Sequence, residues 1–163
     1  MLNKKTVLLL LVLLIVSGCA PVIDKKTLES VDREIRFADL VKDPDRYRGR
    51  KVLLGGTIVG VENREGKTEI EVLDQPLNYQ LRPTNPEESE GRFLCVFEGF
   101  KDPAIYSRNR HITIAGVFKG LEKRRLGEMD YRYPVIEPVE HYLWRSPYGE
   151  PSVGIGVGIG IGF

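Results

Sequence analysis

Alternation dominates the middle of this chain. Val52, Leu54, Gly56 and Ile58 fall on every second position, and the period returns at Ile112, Ile114, Gly116 and Phe118, the pattern of half-buried strands. Both stretches belong to a longer echo. Asp43 to Gly60 and Asp102 to Gly120 each hold an Asp-Pro turn, a tyrosine three residues past the proline (Tyr47, Tyr106), a turn with Gly49 or Asn109, and then the alternating strand. Glycine inside a strand marks a sharp bend or the close approach of another backbone, so two such strands predict closure of a barrel. Thr68 to Leu73 sets Ile70 and Val72 against Glu69 and Glu71, a strand with one wet face. Arg92 to Glu98 is apolar on both faces, as a central strand is. Tyr131 to Val139 is rich in strand formers, but Pro134 and Pro138 confine it to a sheet edge or a bulge. Phe37, Leu40 and Val41 have helical spacing and Pro44 ends that helix; a short helical turn is expected at Asp102 to Tyr106. The expected fold is mainly β, a small five-stranded OB-like barrel with a short N-terminal helix and a short helical turn between strands 3 and 4. A small sandwich is the competing architecture.

The two ends depart from this pattern. Lys4 and Lys5 precede an apolar run from Val7 to Val16, and Ser17 and Gly18 lead into Cys19, the order of a secretory signal. The run is about half of the ~20 residues that a membrane-spanning helix needs. It resembles a bacterial lipobox. That resemblance implies a diacylglyceryl group on the Cys19 sulfur, cleavage before Cys19, and usually a third acyl chain on the freed amine. At about 0.8 kcal/mol per buried methylene, two or three chains anchor a protein durably. The blander alternative is an ordinary signal cut at a nearby small residue. Ala20, by similarity to lipoproteins of two-membrane bacteria, favours the outer membrane, with the domain on its periplasmic face.

Removal of residues 1–18 leaves 145 of the 163 residues, one domain's worth. Two lysines leave with them, so the formal charge moves from +1 to −1, and no field for nucleic acid results. With Cys19 acylated, Cys95 has no disulfide partner. Pro21 to Arg36 is dense in charge and reads as a tether. The expected organisation is a signal at 1–18, a lipidated N-terminus and tether at 19–36, the barrel at 37–146, and a Pro/Gly-rich tail at 147–163.

Gly55-Gly56-Thr57-Ile58, Pro76-Leu77, Gly91-Arg92-Phe93, Asp102-Pro103 with Tyr106, Gly127-Glu128, Tyr131-Arg132-Tyr133-Pro134 and Leu143-Trp144 occur in an order that resembles the Slp family, the starvation-inducible outer-membrane lipoproteins of Gram-negative bacteria. The resemblance runs from Cys19 to about Trp144. It implies a lipid-anchored envelope protein linked to stationary-phase or stress physiology, without catalytic residues.

Candidate chemistry is sparse, and neither an enzyme nor a cofactor is expected. Cys95 lies among Phe93, Leu94, Val96 and Phe97, where a thiol is a core residue. His111 and His141 have no metal-ligand or catalytic spacing, so no metal site is expected. Glu69 and Glu71 read as the wet face of a strand. Lys119 to Glu128 would join the last two strands, where OB barrels bind polymers. Lys123, Arg124 and Arg125 there, with Tyr131 and Tyr133 as stacking surfaces, form a candidate site for peptidoglycan, lipopolysaccharide or another envelope glycan. The bland alternative is a solvated hairpin turn beside core tyrosines.

At the C-terminus Val153, Ile155, Val157, Ile159, Ile161 and Phe163 alternate with glycine, at a length that suits a membrane β-strand. One such strand cannot span alone. Three readings follow: a flexible tail, a strand added to this sheet or a partner's, and a stave of a homo-oligomeric pore.

Overall fold

The computed structural model describes residues 21–145. Cys19, the signal and the alternating tail from Val153 to Phe163 lie outside the described residues.

Five strands form a closed barrel in the order β1-β2-β3-β5-β4, with β4 returning to β1. They are β1 (Lys51–Arg64), β2 (Lys67–Asp74), β3 (Arg92–Glu98), β4 (His111–Leu126) and β5 (Met129–Leu143). All neighbours are antiparallel except β3 and β5, which run parallel where Leu94 meets Val135 and Cys95 meets Ile136. The mainly β, OB-like barrel is therefore the architecture, and the sandwich is not. Its interior is filled by the apolar half of each alternation, including Val52, Ile58, Ile70, Phe93, Ile112 and Phe118.

The two echoed segments close the barrel by pairing with each other. Lys51 to Thr57 lie opposite Val117 to His111, and the flanking turns bond reciprocally. The Gly49 amide donates to the Phe118 carbonyl at 2.8 Å, and the Asn109 amide to the Ile58 carbonyl at 2.9 Å. Both turn residues have left-handed backbone, with φ of 82° at Gly49 and 69° at Asn109, where glycine and asparagine are the natural occupants. The mid-strand glycines permit close approach. A Cβ on Gly56 would overlap the Leu73 carbonyl of β2, and one on Gly116 would sit 2.7 Å from the Glu137 carbonyl. Bulges between Ile58 and Gly60, Ala115 and Gly116, and Phe118 and Gly120 add the curvature.

The prolines of β5 do not make it an edge. Pro138 falls at the Ala115/Gly116 bulge, while Pro134 faces Leu121 just outside the short parallel ladder. Between β3 and β4, the Tyr106 amide donates to the Asp102 carbonyl at 2.9 Å, a single helical turn.

Among the described residues three short helices precede the barrel: α1 (Lys25–Ser30), α2 (Phe37–Lys42) and α3 (Pro44–Tyr47). The spacing of Phe37, Leu40 and Val41 yields α2, which buries Phe37 and Leu40; Pro44 ends it and opens α3 at the first position. Charge does not hold the stretch before α2 away from the barrel as a tether. Ile23, Val31 and Ile35 are buried, and Ile23 and Val31 pack with Ala115 beside Leu28, Leu53 and Leu81. Asp32 donates its amide to the Lys51 carbonyl at 2.8 Å and takes the Arg50 guanidinium at 2.6 Å. Leu28, Val31 and Ile35 fall at helical spacing, but the helix ends at Ser30 and Val31 is already extended; the dense charge around them is why composition suggests a tether.

Candidate functional site

The segment from Lys119 to Glu128 is strand rather than loop: β4 runs to Leu126 and turns at Gly127 into β5. Its positive charges divide between two environments. Lys123 and Arg125 stay exposed around Asp130, at 2.8 and 3.8 Å. Arg124 turns to the outer face of β2, 2.9 Å from Glu69 and 2.6 Å from Glu122. Tyr133 is buried and donates to the Glu71 carboxylate at 2.9 Å, which also takes Arg92 at 2.9 Å. Burial first, and then Glu71, push the Tyr133 hydroxyl up to about 12. Tyr131 accepts the Arg92 amide at 2.8 Å and meets Tyr133 edge-on, with centroids 4.6 Å apart. Of the five residues expected to line a polymer site, the structure brings Arg124, Tyr131 and Tyr133 onto the protein's own sheet and leaves Lys123 and Arg125 in solvent.

This arrangement corrects the reading of β2. Glu69 is only 3% exposed, against 24% for the Glu71 side chain, so the expected wet face is covered by the β4–β5 arm. Lys67 at 3.0 Å, Arg64 at 3.4 Å and Arg124 surround Glu69. Burial pushes its carboxyl up, but Lys67, Arg124 and Arg64 outweigh that and hold it below the usual carboxylate range. Charge reversal at Arg124 would set a second carboxylate against a buried one. Arg124→Glu should cost about 3 kcal/mol, the low end for breaking a buried pair, whereas exposed Arg125→Glu should stay within about 0.5 kcal/mol. Urea unfolding of the two variants checks this, and equal stability would show that Glu69 does not depend on Arg124.

A cleft of about 800 Å³ opens between the 33–37 segment, the start of β1 and the 75–81 connection. Ile35, Phe37, Leu54 and Leu77 give it apolar walls, and Asp74, Glu90, Arg33 and Arg36 give it charge. Asp74 closes β2 and is 8% exposed. Burial, and then the charge of Glu90, push its carboxyl up to about 7 against an opposing backbone hydrogen bond from Glu90. Glu90 also accepts the Ala38 amide at 3.0 Å, tying the first turn of α2 to the rim. The cleft thus sets apolar walls beside acids of β2 and the following connection and two guanidinium groups of the 33–36 segment. No sequence signal marks it, because Asp74 ends a strand and Glu90 lies in the next connection.

A second cleft, of about 500 Å³, adjoins the first through Arg33, Tyr79 and Leu81, and is completed by Pro21, Val22, Leu28, Gln80 and Trp144. Neither histidine lines these clefts. His141 Nε2 is 2.9 Å from the Tyr106 hydroxyl and its ring lies edge-on to Phe97. Cys95 is fully buried and burial raises its thiol well above the usual range, as its apolar neighbours predict. Among the described residues no cluster of three or more His, Cys, Asp or Glu is placed to hold a metal, and no helix is long and apolar enough to cross a membrane.

One family model, described as "Outer membrane lipoprotein Slp family", matches residues 16–155. The chain is 30% identical over 131 residues to "Uncharacterized lipoprotein YeaY" of Escherichia coli (strain K12), covering 80% of this chain and 67% of that protein. It is 35% identical over 96 residues to an "Uncharacterized protein" of Haemophilus influenzae, covering 58% and 52%. It is 26% identical over 113 residues to "Outer membrane protein Slp" of Escherichia coli (strain K12), covering 69% and 60%. The matches thus span 52% to 67% of the relatives' lengths.

Proposed function

We infer the function from one premise: this chain belongs to the outer membrane lipoprotein Slp family. Its class is an envelope lipoprotein of the outer membrane. We propose that Cys19 carries the acyl chains, that the barrel faces the periplasm, and that the protein serves envelope structure or stress adaptation without catalysis. The observation that carries this reading is the order Val7 to Val16, Ser17, Gly18, Cys19, with Ile23, a fully buried core residue, only four residues later. Changing Cys19→Ser should leave a folded protein that no longer sediments with outer membranes after a high-salt wash. A variant still firmly bound would place the anchor elsewhere.

The binding-module reading has a second support, in a different place from the β4–β5 arm. The 800 Å³ cleft joins apolar walls to the Asp74–Glu90 acid pair, and favours an amphiphilic envelope ligand over a glycan stacked on tyrosines already in use. The pore reading rests on Val153 to Phe163 alone.

A further inference from the structure

Cys19 is two residues from Pro21, and an extended chain covers at most about 3.6 Å per residue, so their α-carbons lie within about 7 Å of each other. Ile23 and Val31 hold the chain that follows Pro21 to the barrel. If Cys19 is acylated, as proposed above, there is no tether to lift the domain, and the surface around Pro21 lies at the lipid boundary.

That surface has the composition such a boundary selects. The 500 Å³ cleft there is walled by Pro21, Val22, Leu28, Leu81 and Trp144, and Tyr79 stands at its rim with 91% of its surface exposed. Tyrosine and tryptophan concentrate where one end of a side chain is apolar and the other wet. The Trp144 indole N–H donates to Thr113 Oγ1 at 2.9 Å, so the ring can meet hydrocarbon without an unpaired donor. Arg82 lies over that ring at 5.3 Å and Arg33 lines the cleft, placing two guanidinium groups where lipid phosphates would sit. Tyr142, 37% exposed, meets the Trp144 ring edge-on with centroids 4.8 Å apart and belongs to the same setting, whereas the most exposed phenylalanine does not. Phe100, 71% exposed, follows Gly99, which bonds the β1–β2 turn at Gly66, away from the anchor.

We propose that the face formed by Tyr79, Leu28, Val22 and Trp144 seats on the phospholipid surface that holds the Cys19 acyl chains, with Arg33 and Arg82 on the headgroup phosphates. The barrel is then a monolayer-bound domain of fixed orientation, and its larger cleft opens beside the lipid.

Trp144 is the chain's single tryptophan, so its fluorescence reports this face alone. The native acylated protein is reconstituted into vesicles of phosphatidylethanolamine and phosphatidylglycerol, with plain or brominated acyl chains, and floated on a density gradient. Strong quenching of Trp144 by the brominated lipid is expected. Tyr79→Asp should still float and lose most of that quenching, and Phe100→Asp should keep it. Without acyl chains, in the Cys19→Ser background, Tyr79→Asp should weaken vesicle binding about tenfold, the worth of roughly one partly buried apolar side chain. Equal Trp144 emission in both vesicles from a parent that floats would overturn the seated face and leave the anchor standing. A parent that does not float would overturn both.

Discussion

Gly56→Ala should prevent the barrel from closing, with a loss of more than ~4 kcal/mol, beyond the range of ordinary substitutions. Gly56 pairs with Asp74 of β2 on one side and Ile112 of β4 on the other, and its missing Cβ is the space that the Leu73 carbonyl occupies. That neighbour is backbone in a laddered strand, so no rotamer change relieves the overlap, and shifting it breaks pairs on both flanks. Gly49→Ala is the control. Its left-handed φ of 82° also disfavours alanine, but nothing lies within 4 Å of the added methyl, so it should cost only about 1–2 kcal/mol. Urea unfolding separates the two. Midpoints that coincide would mean that close backbone approach at Gly56 is not what shapes the barrel.

The second large effect is a pH dependence centred on Asp74. Its folded-state carboxyl titrates near 7 against an ordinary 3.8, so folding favours the protonated form. A raised acid gives its stability in full below the unfolded value, loses it as pH climbs through the folded value, and contributes nothing further above. A difference of ~3 pH units corresponds to about 4 kcal/mol. Asp74→Asn keeps the position neutral at every pH. Its advantage over the parent should therefore be near zero at pH 4 and grow to about 4 kcal/mol by pH 8. Glu69, held low by Lys67, Arg124 and Arg64, works in the opposite sense and loses its contribution as pH falls. The parent's curve mixes both groups, so the difference between parent and Asp74→Asn is the quantity to measure. A difference constant from pH 4 to pH 8 would show that Asp74 is an ordinary solvated acid.

What could be read from sequence was local and periodic. Val52 to Ile58 and Ile112 to Phe118 announced their strands and, through Gly56 and Gly116, their bending; that the two echoes pair across the closure adds a register that no period encodes. Pro138 pointed to a bulge and is at one, although β5 lies inside a closed barrel. What could not be read depends on partners distant in the chain. Glu69 has the spacing of a wet face and is buried because Arg124 arrives from the end of β4. Tyr133 offers an aromatic ring in sequence and spends its hydroxyl on Glu71 in the fold. The Asp74–Glu90 cleft and the Tyr79–Trp144 face each assemble from segments that are individually unremarkable, and the ordering of 21–36 needs the receptive side of β1 and β4 that Ile23, Val31 and Asp32 contact.

The most direct test is the mass of the N-terminal peptide of protein purified from native outer membranes. A mature chain that begins at Cys19 and carries a diacylglyceryl group with an amide-linked third acyl chain is the expected result. An unmodified N-terminus at another residue, in protein that still fractionates with the outer membrane, would contradict the Cys19 anchor and the orientation built on it.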